Sequence, residues 1–319
     1  MTTSTDMPLR ITAAEGQALG DVDPADVRKA LDESGAIALT GFGATLADFV
    51  TLGNAICDNW HDYRGGGFRF GSLDRRTVDT EASILTATGS TQTFPIPLHG
   101  EMYYFKERPG VLWFYCEIPP SGGGGETTVA DGKALLDGLP PDVLTYLRAN
   151  DLMYLRRLEA ADWRQAYMTD DVNVIARICE ANDTVLTYDA ETDVVETTFV
   201  TPAIIRDPDG SERLISSLLP VWFGEQIAEA GTAAEILGET SNRTPPLVVR
   251  TATGDRIPAE IVHAIYGTGI VQETKVDWQP GDILAVNNLT TLHGRAESTD
   301  PDRLIYLSLI HISEPTRPY

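Results

Sequence analysis

His99, Gly100 and Glu101 form the most chemically informative triplet of this sequence, and His293 follows Glu101 by 192 residues. Two imidazoles and one carboxylate can occupy three adjacent corners of an octahedral metal, which leaves three corners open for other ligands. This donor set suits non-haem Fe(II) sites. His99 and Glu101 lie two residues apart, so an extended backbone would point both side chains to one face. The pattern therefore indicates a mononuclear metal site.

The residues before each half of this pattern bear on whether it is a metal site. Pro95 and Pro97 keep the approach to His99 out of a helix. His293 follows a predicted strand-turn-strand unit, and a ligand at the end of such a unit is held by a rigid scaffold. The alternatives are a surface pair near a turn for His99 and Glu101, and a packed core residue for His293.

The other histidines are weaker ligand candidates. His61 and His263 fall in predicted helical segments with no second ligand nearby in sequence, and we interpret both as structural. His311 is set aside because the segment from Leu307 to Arg317 equals the translation, in one reading frame, of a transposase adapter used in DNA sequencing libraries. We therefore interpret residues 307–319 as a non-native tail. The alternative is a natural strand followed by a proline-containing tail.

Arg303 and Thr127 are candidates for binding an anion. Arg303 comes ten residues after His293, at the start of the last predicted strand. A guanidinium can bind a carboxylate through two parallel hydrogen bonds, which lysine cannot match. Thr127 follows a glycine-rich turn and could donate its hydroxyl to the same carboxylate. The alternatives are a surface ion pair for Arg303 and an ordinary strand position for Thr127.

Composition limits the class of protein. The 319 residues are 42% hydrophobic, which supports a sizeable core, and 47 acidic against 24 basic residues give a net charge of −23. Such a surface is a poor partner for nucleic acid or anionic membranes, and an anionic small molecule would need a dedicated cation. No apolar run reaches the roughly 18 residues of a membrane span, and residues 1–10 lack a signal core. Three cysteines without a CxxC pair favour a reducing, cytoplasmic location.

The periodicity of the chain predicts strands at both ends with a helical insertion between them. The expected helices cover 24–33, 46–59, 132–150 (broken at Pro140-Pro141), 160–180 and 258–265. The expected strands cover 36–40, 111–116, 126–130, several segments of 185–217, 271–278, 283–286 and 303–309. We predict one β-rich, barrel-like domain over residues 11–306, preceded by a disordered N-terminus at residues 1–10.

Several motifs follow one another in the order of the taurine dioxygenase/TfdA-like family, which is closely related to clavaminate synthase. They are Leu98–Tyr104, Arg108-Pro109, Phe114–Cys116, Gly124–Thr127, Trp278, Gly281-Asp282, Asn288, Leu292–Arg295 and Arg303. The sequence resembles this family over roughly residues 35 to 306. Its members are Fe(II)- and 2-oxoglutarate-dependent oxygenases.

The resemblance implies a mainly β fold with flanking helices, built on a double-stranded β-helix (jelly-roll) core with an inserted lid. It also implies that His99, Glu101 and His293 bind Fe(II), and that Arg303 and Thr127 bind the distal carboxylate of 2-oxoglutarate. Dioxygen would be the second cosubstrate. The sequence departs from the family in that Asn287 stands where Asp is frequent. Members of the family often have a second basic residue in the last strand, and this sequence lacks it.

The activity implied by the resemblance is hydroxylation of an unactivated C–H bond in a small molecule, with release of succinate and CO2. We expect an amino acid derivative, free or bound to a carrier protein, and name Tyr103, Arg295 and Phe68 as substrate contacts. Glu101 disfavours halogenation, since family halogenases have a small residue there. The alternatives are desaturation or cyclisation, a metal enzyme without 2-oxoglutarate, and a non-catalytic jelly-roll binding module. The sequence leaves the oligomeric state open.

Overall fold

The computed structural model describes residues 7–57, 59–60, 77–79, 84–87, 93–122, 124–207, 209–229 and 247–311. The helices within these ranges are α1 (Pro24–Ser34), α2 (Leu46–Ile56), α3 (Gly132–Asp137), α4 (Pro141–Ala149), α5 (Ala160–Tyr167), α6 (Val172–Ala181), α7 (Leu218–Glu229) and α8 (Ala259–Gln272). The strands are β1 (Leu9–Thr12), β2 (Ala36–Thr40), β3 (Asn59–Trp60), β4 (Thr77–Asp79), β5 (Ile84–Thr86), β6 (Ile96–His99), β7 (Val111–Ile118), β8 (Thr127–Asp131), β9 (Leu152–Leu158), β10 (Val185–Asp189), β11 (Val194–Thr201), β12 (Ile205–Arg206), β13 (Glu212–Arg213), β14 (Leu247–Thr251), β15 (Thr274–Lys275), β16 (Ile283–Asn287), β17 (Thr291–Arg295) and β18 (Leu304–His311).

Both of the first two helices begin where their sequences predict, and α1 ends one residue beyond its predicted end, whereas α2 ends at Ile56, three residues earlier than expected. The Asp23 carboxylate accepts a hydrogen bond from the Ala25 N–H at the start of α1, and Gly35 ends the helix in the left-handed region at φ 75°. Thr45 and Asp48 form a reciprocal capping box at the start of α2. These local signals mark both ends of α1 and the start of α2.

An eight-stranded sheet forms one wall of the molecule. Its order is β1-β2-β16-β7-β18-β5-β4, with β3 also paired to β18. Only β1 and β2 run parallel; the other pairs are antiparallel. Alternation along the central strand β7 divides its side chains between two apolar clusters, since Phe114 and Cys116 join one cluster while Trp113 and Tyr115 join the other.

A smaller, four-stranded sheet carries the candidate ligands. Its order is β15-β8-β17-β6, and His293 on β17 is the register partner of His99 on β6. The apolar side chains of this sheet, among them Leu98, Val129 and Leu292, belong to the same buried cluster as Phe114 and Cys116 of the larger sheet. The two sheets therefore share one core, and the histidines lie at its edge.

The middle of the chain adds a helical and β insertion. A second four-stranded antiparallel sheet has the order β10-β11-β9-β14, and β12 pairs with β13 as a hairpin around the predicted turn near Gly210. Helix α7 packs between this insertion and β6, the strand that carries His99, because it contacts both β14 and β6. None of the helices within the described ranges is long and apolar enough to cross a membrane.

One predicted strand is wrong. Val271 and Gln272 end helix α8, so the strand expected over 271–278 is reduced to β15. The helix passes two glycines, and a Cβ at Gly269 would lie 3.2 Å from Leu98 Cδ1. Because glycine has no side chain, Gly269 lets α8 pack closely against Leu98 of β6 without interrupting the helix.

Both ends of the predicted domain differ from expectation. Leu9 and Arg10, expected in a disordered N-terminus, lie in β1. At the other end β18 continues past Tyr306 to His311, and Leu309 pairs with Leu112 at the centre of the large sheet. The origin of residues 307–319 is a separate question and stays a prediction. Residues 61–76, which include His61 and Phe68, lie outside the described ranges.

Candidate metal centre

Three donor atoms meet at the end of β6. The Glu101 Oε2 atom lies 4.0 Å from His99 Nε2 and 3.6 Å from His293 Nε2. All three ligand atoms lie within 4.8 Å of one another, and the two imidazole centroids are 4.1 Å apart. The register of β6 with β17 brings the histidines together across 194 residues of sequence.

The protonation of His99 suits a metal ligand. Its Nδ1 lies 2.9 Å from the Pro97 carbonyl oxygen and donates to it in the tautomer that leaves Nε2 as a lone-pair donor. Glu101 and His293 are 4% and 5% exposed, so the carboxylate has little water around it. Ligands bound to one metal at about 2.0–2.2 Å lie closer together than the 3.6–4.0 Å measured from Glu101 Oε2 to the two imidazoles, so metal binding would draw the side chains inward. The residues therefore match the requirements of a divalent metal.

Gly100 has no room for a side chain. A Cβ atom there would lie 2.4 Å from the Tyr103 ring and 2.6 Å from Ile215 Cγ2. The backbone of Gly100 is held as well, because its N–H donates to the Ser216 carbonyl and its own carbonyl accepts from the Ser217 hydroxyl. The residue between the two ligands is thus fixed by the segment that precedes α7.

Two arginines, Arg295 (buried) and Arg303 (partly buried), form a cationic cluster with Thr127 beside the candidate metal ligands. Arg295 is the register partner of Thr127, and the two residues are 5% and 3% exposed. Burial, together with the charge of Arg295, lowers the pKa of Arg303 to about 10. Burial alone lowers the pKa of Arg295 to about 10. The charge of Arg295 thus acts on Arg303, while the carboxylates of Asp300 and Glu126 act on it in the opposite direction.

The strand β7 connects this cluster to the metal ligands. The ring of Phe114 lies 5.8 Å from that of His293, and two residues further along, Cys116 is close enough to Arg303 for the guanidinium charge to act on its thiol. Burial raises the pKa of Cys116 to about 12, so the thiol is protonated. Phe114 and Cys116, on one face of β7, thus lie next to the candidate ligand His293 and to Arg303, respectively.

The glycine turn before β8 closes against the same cluster. A Cβ at Gly124 would lie 2.0 Å from the Glu297 carbonyl oxygen, and a Cβ at Gly125 would lie 3.0 Å from Arg303 Cδ. Both glycines have positive φ values, 79° and 90°. The turn therefore needs glycine for its backbone conformation and for its contact with Glu297 and Arg303.

Arg295 and Tyr103, the two expected substrate contacts that the structure describes, lie in different surroundings. Arg295 lies beside Arg303 and donates to the Phe94 carbonyl, so it belongs to the cationic cluster. Tyr103 is 2% exposed and donates its hydroxyl to the Asn288 carbonyl oxygen at 2.8 Å. Phe68 lies outside the described residues.

His263, Ser217 and Asn288 are three further residues that bear on the site. His263 is exposed on α8 and stacks on Phe223, in keeping with the structural role expected for it. Sequence reasoning missed the hydrogen bonds of Ser217 and Asn288 to Gly100 and Glu101. Asn288 appeared only as one letter of a motif, although it binds the backbone of Glu101 directly.

Comparisons with known proteins agree with this geometry. Residues 4–308 match the profile of the taurine catabolism dioxygenase TauD, TfdA family. The chain belongs to this family. It is accordingly a dioxygenase, with Fe(II) as its metal and 2-oxoglutarate as its cosubstrate, and the resemblance seen in the sequence motifs is confirmed.

Individual relatives cover most of the chain. A clavaminate synthase-like protein of Arabidopsis thaliana is 28% identical over 292 residues, which are 88% of this chain and 82% of that protein. The dapdiamide synthesis protein DdaC of Enterobacter agglomerans is 23% identical over 234 residues, 72% and 70% of the two chains. The structure of PvcB from Pseudomonas aeruginosa superposes with a TM-score of 0.56 at 14% identity, covering 96% of this chain and 87% of that one. PvcB is described as an Fe, alpha-ketoglutarate dependent oxygenase from an isonitrile synthetic pathway; at this identity the likeness shows the fold.

Proposed function

We propose that His99, Glu101 and His293 hold the Fe(II) of this family member, and that the protein hydroxylates a small molecule. The observation that carries the proposal is the convergence of the three donor atoms within 4.8 Å at the end of β6. The carboxylate lowers the net charge of the bound Fe(II), and the facial arrangement of three protein ligands leaves open positions for cosubstrates. This convergence also favours an enzyme over a binding module that has lost its metal.

The cationic cluster is the proposed site for the distal carboxylate of 2-oxoglutarate. Arg303 would bind it through two hydrogen bonds, and Thr127, whose hydroxyl accepts a bond from Trp278 Nε1 at 3.1 Å, has its own proton available to donate. Arg295 supplies a second positive charge to the same place. The position of Arg295 supports a role toward the cosubstrate over the role toward the primary substrate that its sequence suggested.

Bound Fe(II), 2-oxoglutarate and dioxygen supply the oxidising chemistry of the reaction. One oxygen atom enters the substrate C–H bond and the other enters succinate, while C1 of 2-oxoglutarate leaves as CO2. The protein's own part is to hold the cosubstrate by its distal end and to limit water around Glu101. The low exposure of Glu101, His293 and Thr127 supports that part.

We extend the proposal to the fold that positions these residues. The eight-stranded sheet and the sheet β15-β8-β17-β6 share one apolar core, and most of their strand pairs are antiparallel. We take them as the two walls of a double-stranded β-helix, with the metal ligands on the smaller wall. The sheet of β9, β10, β11 and β14 is then the insertion that the sequence predicted.

The substrate class proposed is an amino acid derivative, free or carrier-bound. The similarity to a dapdiamide synthesis protein supports a small molecule of specialised metabolism. Desaturation and cyclisation use the same metal centre and remain the alternative outcomes. A cytoplasmic setting is part of the proposal, because no disulfide joins Cys57, Cys116 and Cys179.

The experiment is anaerobic addition of Fe(II) and 2-oxoglutarate to the purified protein. A weak visible charge-transfer band should appear and should be lost in His99→Ala, while the exposed-site control His263→Ala keeps it. Oxygen-dependent succinate formation is then measured with a panel of free and carrier-tethered amino acids. The absence of both the band and succinate in the wild-type protein would contradict the proposal, whereas the band without substrate stimulation would direct the search to other substrates.

A further inference from the structure

Asn288 lies between the two halves of the metal centre. It follows β16 directly and stands five residues before His293, in the tight connection to β17. Its exposed fraction is 0%, so every polar atom of its side chain must be satisfied within the protein. The connection itself is closed by local bonds, because the Thr290 N–H donates to the Asn287 carbonyl and the Leu289 N–H donates to the Asn287 side chain.

The side chain of Asn288 binds both backbone groups of Glu101. Its Oδ1 accepts from the Glu101 N–H at 2.8 Å, and its Nδ2 donates to the Glu101 carbonyl oxygen at 3.0 Å. The second Nδ2 hydrogen goes to the Pro109 carbonyl oxygen at 2.8 Å. An amide has the one acceptor and two donors that this arrangement needs, whereas an aspartate would face two carbonyl oxygens with a negative charge.

The backbone of Asn288 is tied to the same region. Its N–H donates to the Gly110 carbonyl at 2.9 Å, and its carbonyl accepts from the Tyr103 hydroxyl at 2.8 Å. One residue therefore makes five bonds to the segment from Glu101 to Gly110, and all of them reach across about 180 residues of sequence. This segment follows the first two metal ligands, while Asn288 precedes the third.

The conformation after Glu101 needs such support. Met102 has a φ of 61°, in the left-handed region, although it is not a glycine, and it is 2% exposed. Such conformations persist when the surrounding structure over-determines them. The bonds from Asn288 fix the peptide groups on both sides of the Glu101 Cα atom. Only the side-chain torsions of Glu101 then remain to aim its carboxylate.

We infer that Asn288 is a positioning residue that sets the separation of Glu101 from His293 and thereby the metal affinity of the site. The hydrogen bonds of its side chain go to the backbone of Glu101 and Pro109, not to the three donor atoms. Its effect passes through the Glu101 backbone on one side and through five residues of chain to His293 on the other. The inference rests on the proposed assignment of His99, Glu101 and His293 as the metal ligands.

The test compares Asn288→Leu with Asn182→Leu. Asn182 is a matched control, because it is 5% exposed and its side chain also binds backbone groups, accepting from the Glu107 N–H at 2.7 Å and donating to the Ile178 carbonyl. Mn(II) affinity is measured by calorimetry without cosubstrate, and Co(II) is added to record its visible absorption spectrum. Thermal unfolding of each metal-free protein gives the loss of stability.

The expected result is a 10- to 100-fold weaker Mn(II) affinity and an altered Co(II) spectrum in Asn288→Leu, the range seen when an outer-shell partner of a metal ligand is lost. Asn182→Leu should lower the unfolding temperature while its Mn(II) affinity stays within twofold of wild type. Equal Mn(II) affinity in Asn288→Leu and wild type would overturn the inference. A wild-type protein that binds no Mn(II) would instead contradict the ligand assignment itself.

A milder variant covers the case in which Asn288→Leu does not fold. Tyr103→Phe removes only the hydroxyl that donates to the Asn288 carbonyl and leaves the packed ring in place. It should weaken Mn(II) binding several-fold and shift the Co(II) spectrum in the same direction. Unchanged metal affinity and spectrum in Tyr103→Phe, with a reduced unfolding temperature, would show that the network is structural only.

Discussion

Arg295 and Thr127 face each other in neighbouring antiparallel strands, and the charge of Arg295 contributes to the lowered pKa of Arg303. The carboxylate anions of Asp300 and Glu126 raise the pKa of Arg303, against the effects of burial and of Arg295. The cosubstrate of the family carries such an anion at its distal end. The arrangement therefore has consequences for cosubstrate selectivity that can be measured separately for each residue.

Arg303→Gln should weaken 2-oxoglutarate binding far more than binding of 2-oxobutyrate, which lacks the distal carboxylate. Truncating one partner of a buried charge pair costs about 2–5 kcal/mol, which corresponds to a loss of roughly 30-fold or more. Calorimetry with the Mn(II)-loaded protein gives both affinities. The 2-oxoglutarate affinity of Arg303→Lys should lie between those of Arg303→Gln and wild type, because lysine keeps the charge and loses the paired hydrogen bonds. Equal losses of affinity for 2-oxoglutarate and 2-oxobutyrate would mean that Arg303 does not bind the distal carboxylate.

Arg295→Gln should weaken 2-oxoglutarate binding by about tenfold, which corresponds to about 1.4 kcal/mol, since it removes the second charge and leaves Arg303 in place. The same calorimetric titration measures it. Arg157→Gln serves as the control, because Arg157 is exposed and pairs with Glu196 on the surface. If 2-oxoglutarate affinity is unchanged and the KM for the primary substrate rises, Arg295 serves the substrate, as its sequence position first suggested.

Gly124→Ala should destabilise the protein by more than about 3 kcal/mol, because left-handed strain of about 1–2 kcal/mol adds to an overlap with the Glu297 carbonyl. It should also weaken 2-oxoglutarate binding, since the turn packs against the segment leading to Arg303. Gly122→Ala is the matched control: its φ of 106° brings the strain, but nothing lies within 4 Å of the added carbon. Urea unfolding separates the two, and equal losses would mean that the overlap is relieved by a movement of the turn.

Leu309→Ala should lower the free energy of unfolding by about 2–5 kcal/mol, as for a fully buried leucine. Leu309 is 1% exposed and pairs with Leu112 in the centre of the large sheet. The control is Ile118→Ala on the neighbouring strand, where the side chain is 43% exposed and the loss should be well below 1 kcal/mol. A small loss for Leu309→Ala would mean that β18 ends earlier than His311.

The sequence predicted His99, Glu101 and His293 as candidate metal ligands because the spacing of the first two is local and because a strand-turn-strand pattern precedes His293, and the structure brings their donor atoms within 4.8 Å of one another. It did not predict the role of Asn288, whose bonds to Glu101 span 187 residues, or of Ser217, whose bond to Gly100 spans 117. Neither residue carries a local signal, since a buried amide or hydroxyl takes its meaning from tertiary neighbours.

The missed elements of the fold have similar physical causes. Strand β9 alternates between buried and exposed positions, but Arg156 occupies a buried one and interrupts the apolar pattern. Helix α7 is apolar on most sides, and a short apolar run does not distinguish a helix from a strand. Capped helices such as α1, by contrast, were predicted to within one residue because their signals are local.

The position of β18 inside its sheet affects how the protein acquires its site during synthesis. This strand pairs with β7 and β5 on either side, although it comes last among the described strands. The large sheet therefore stays open on the ribosome until β18 emerges, well after His99 and Glu101. Arg303 precedes that strand directly and His293 lies only ten residues earlier, so the third proposed metal ligand and the proposed carboxylate-binding arginine leave the ribosome almost together. Selective capture of 2-oxoglutarate would then mark the completion of folding.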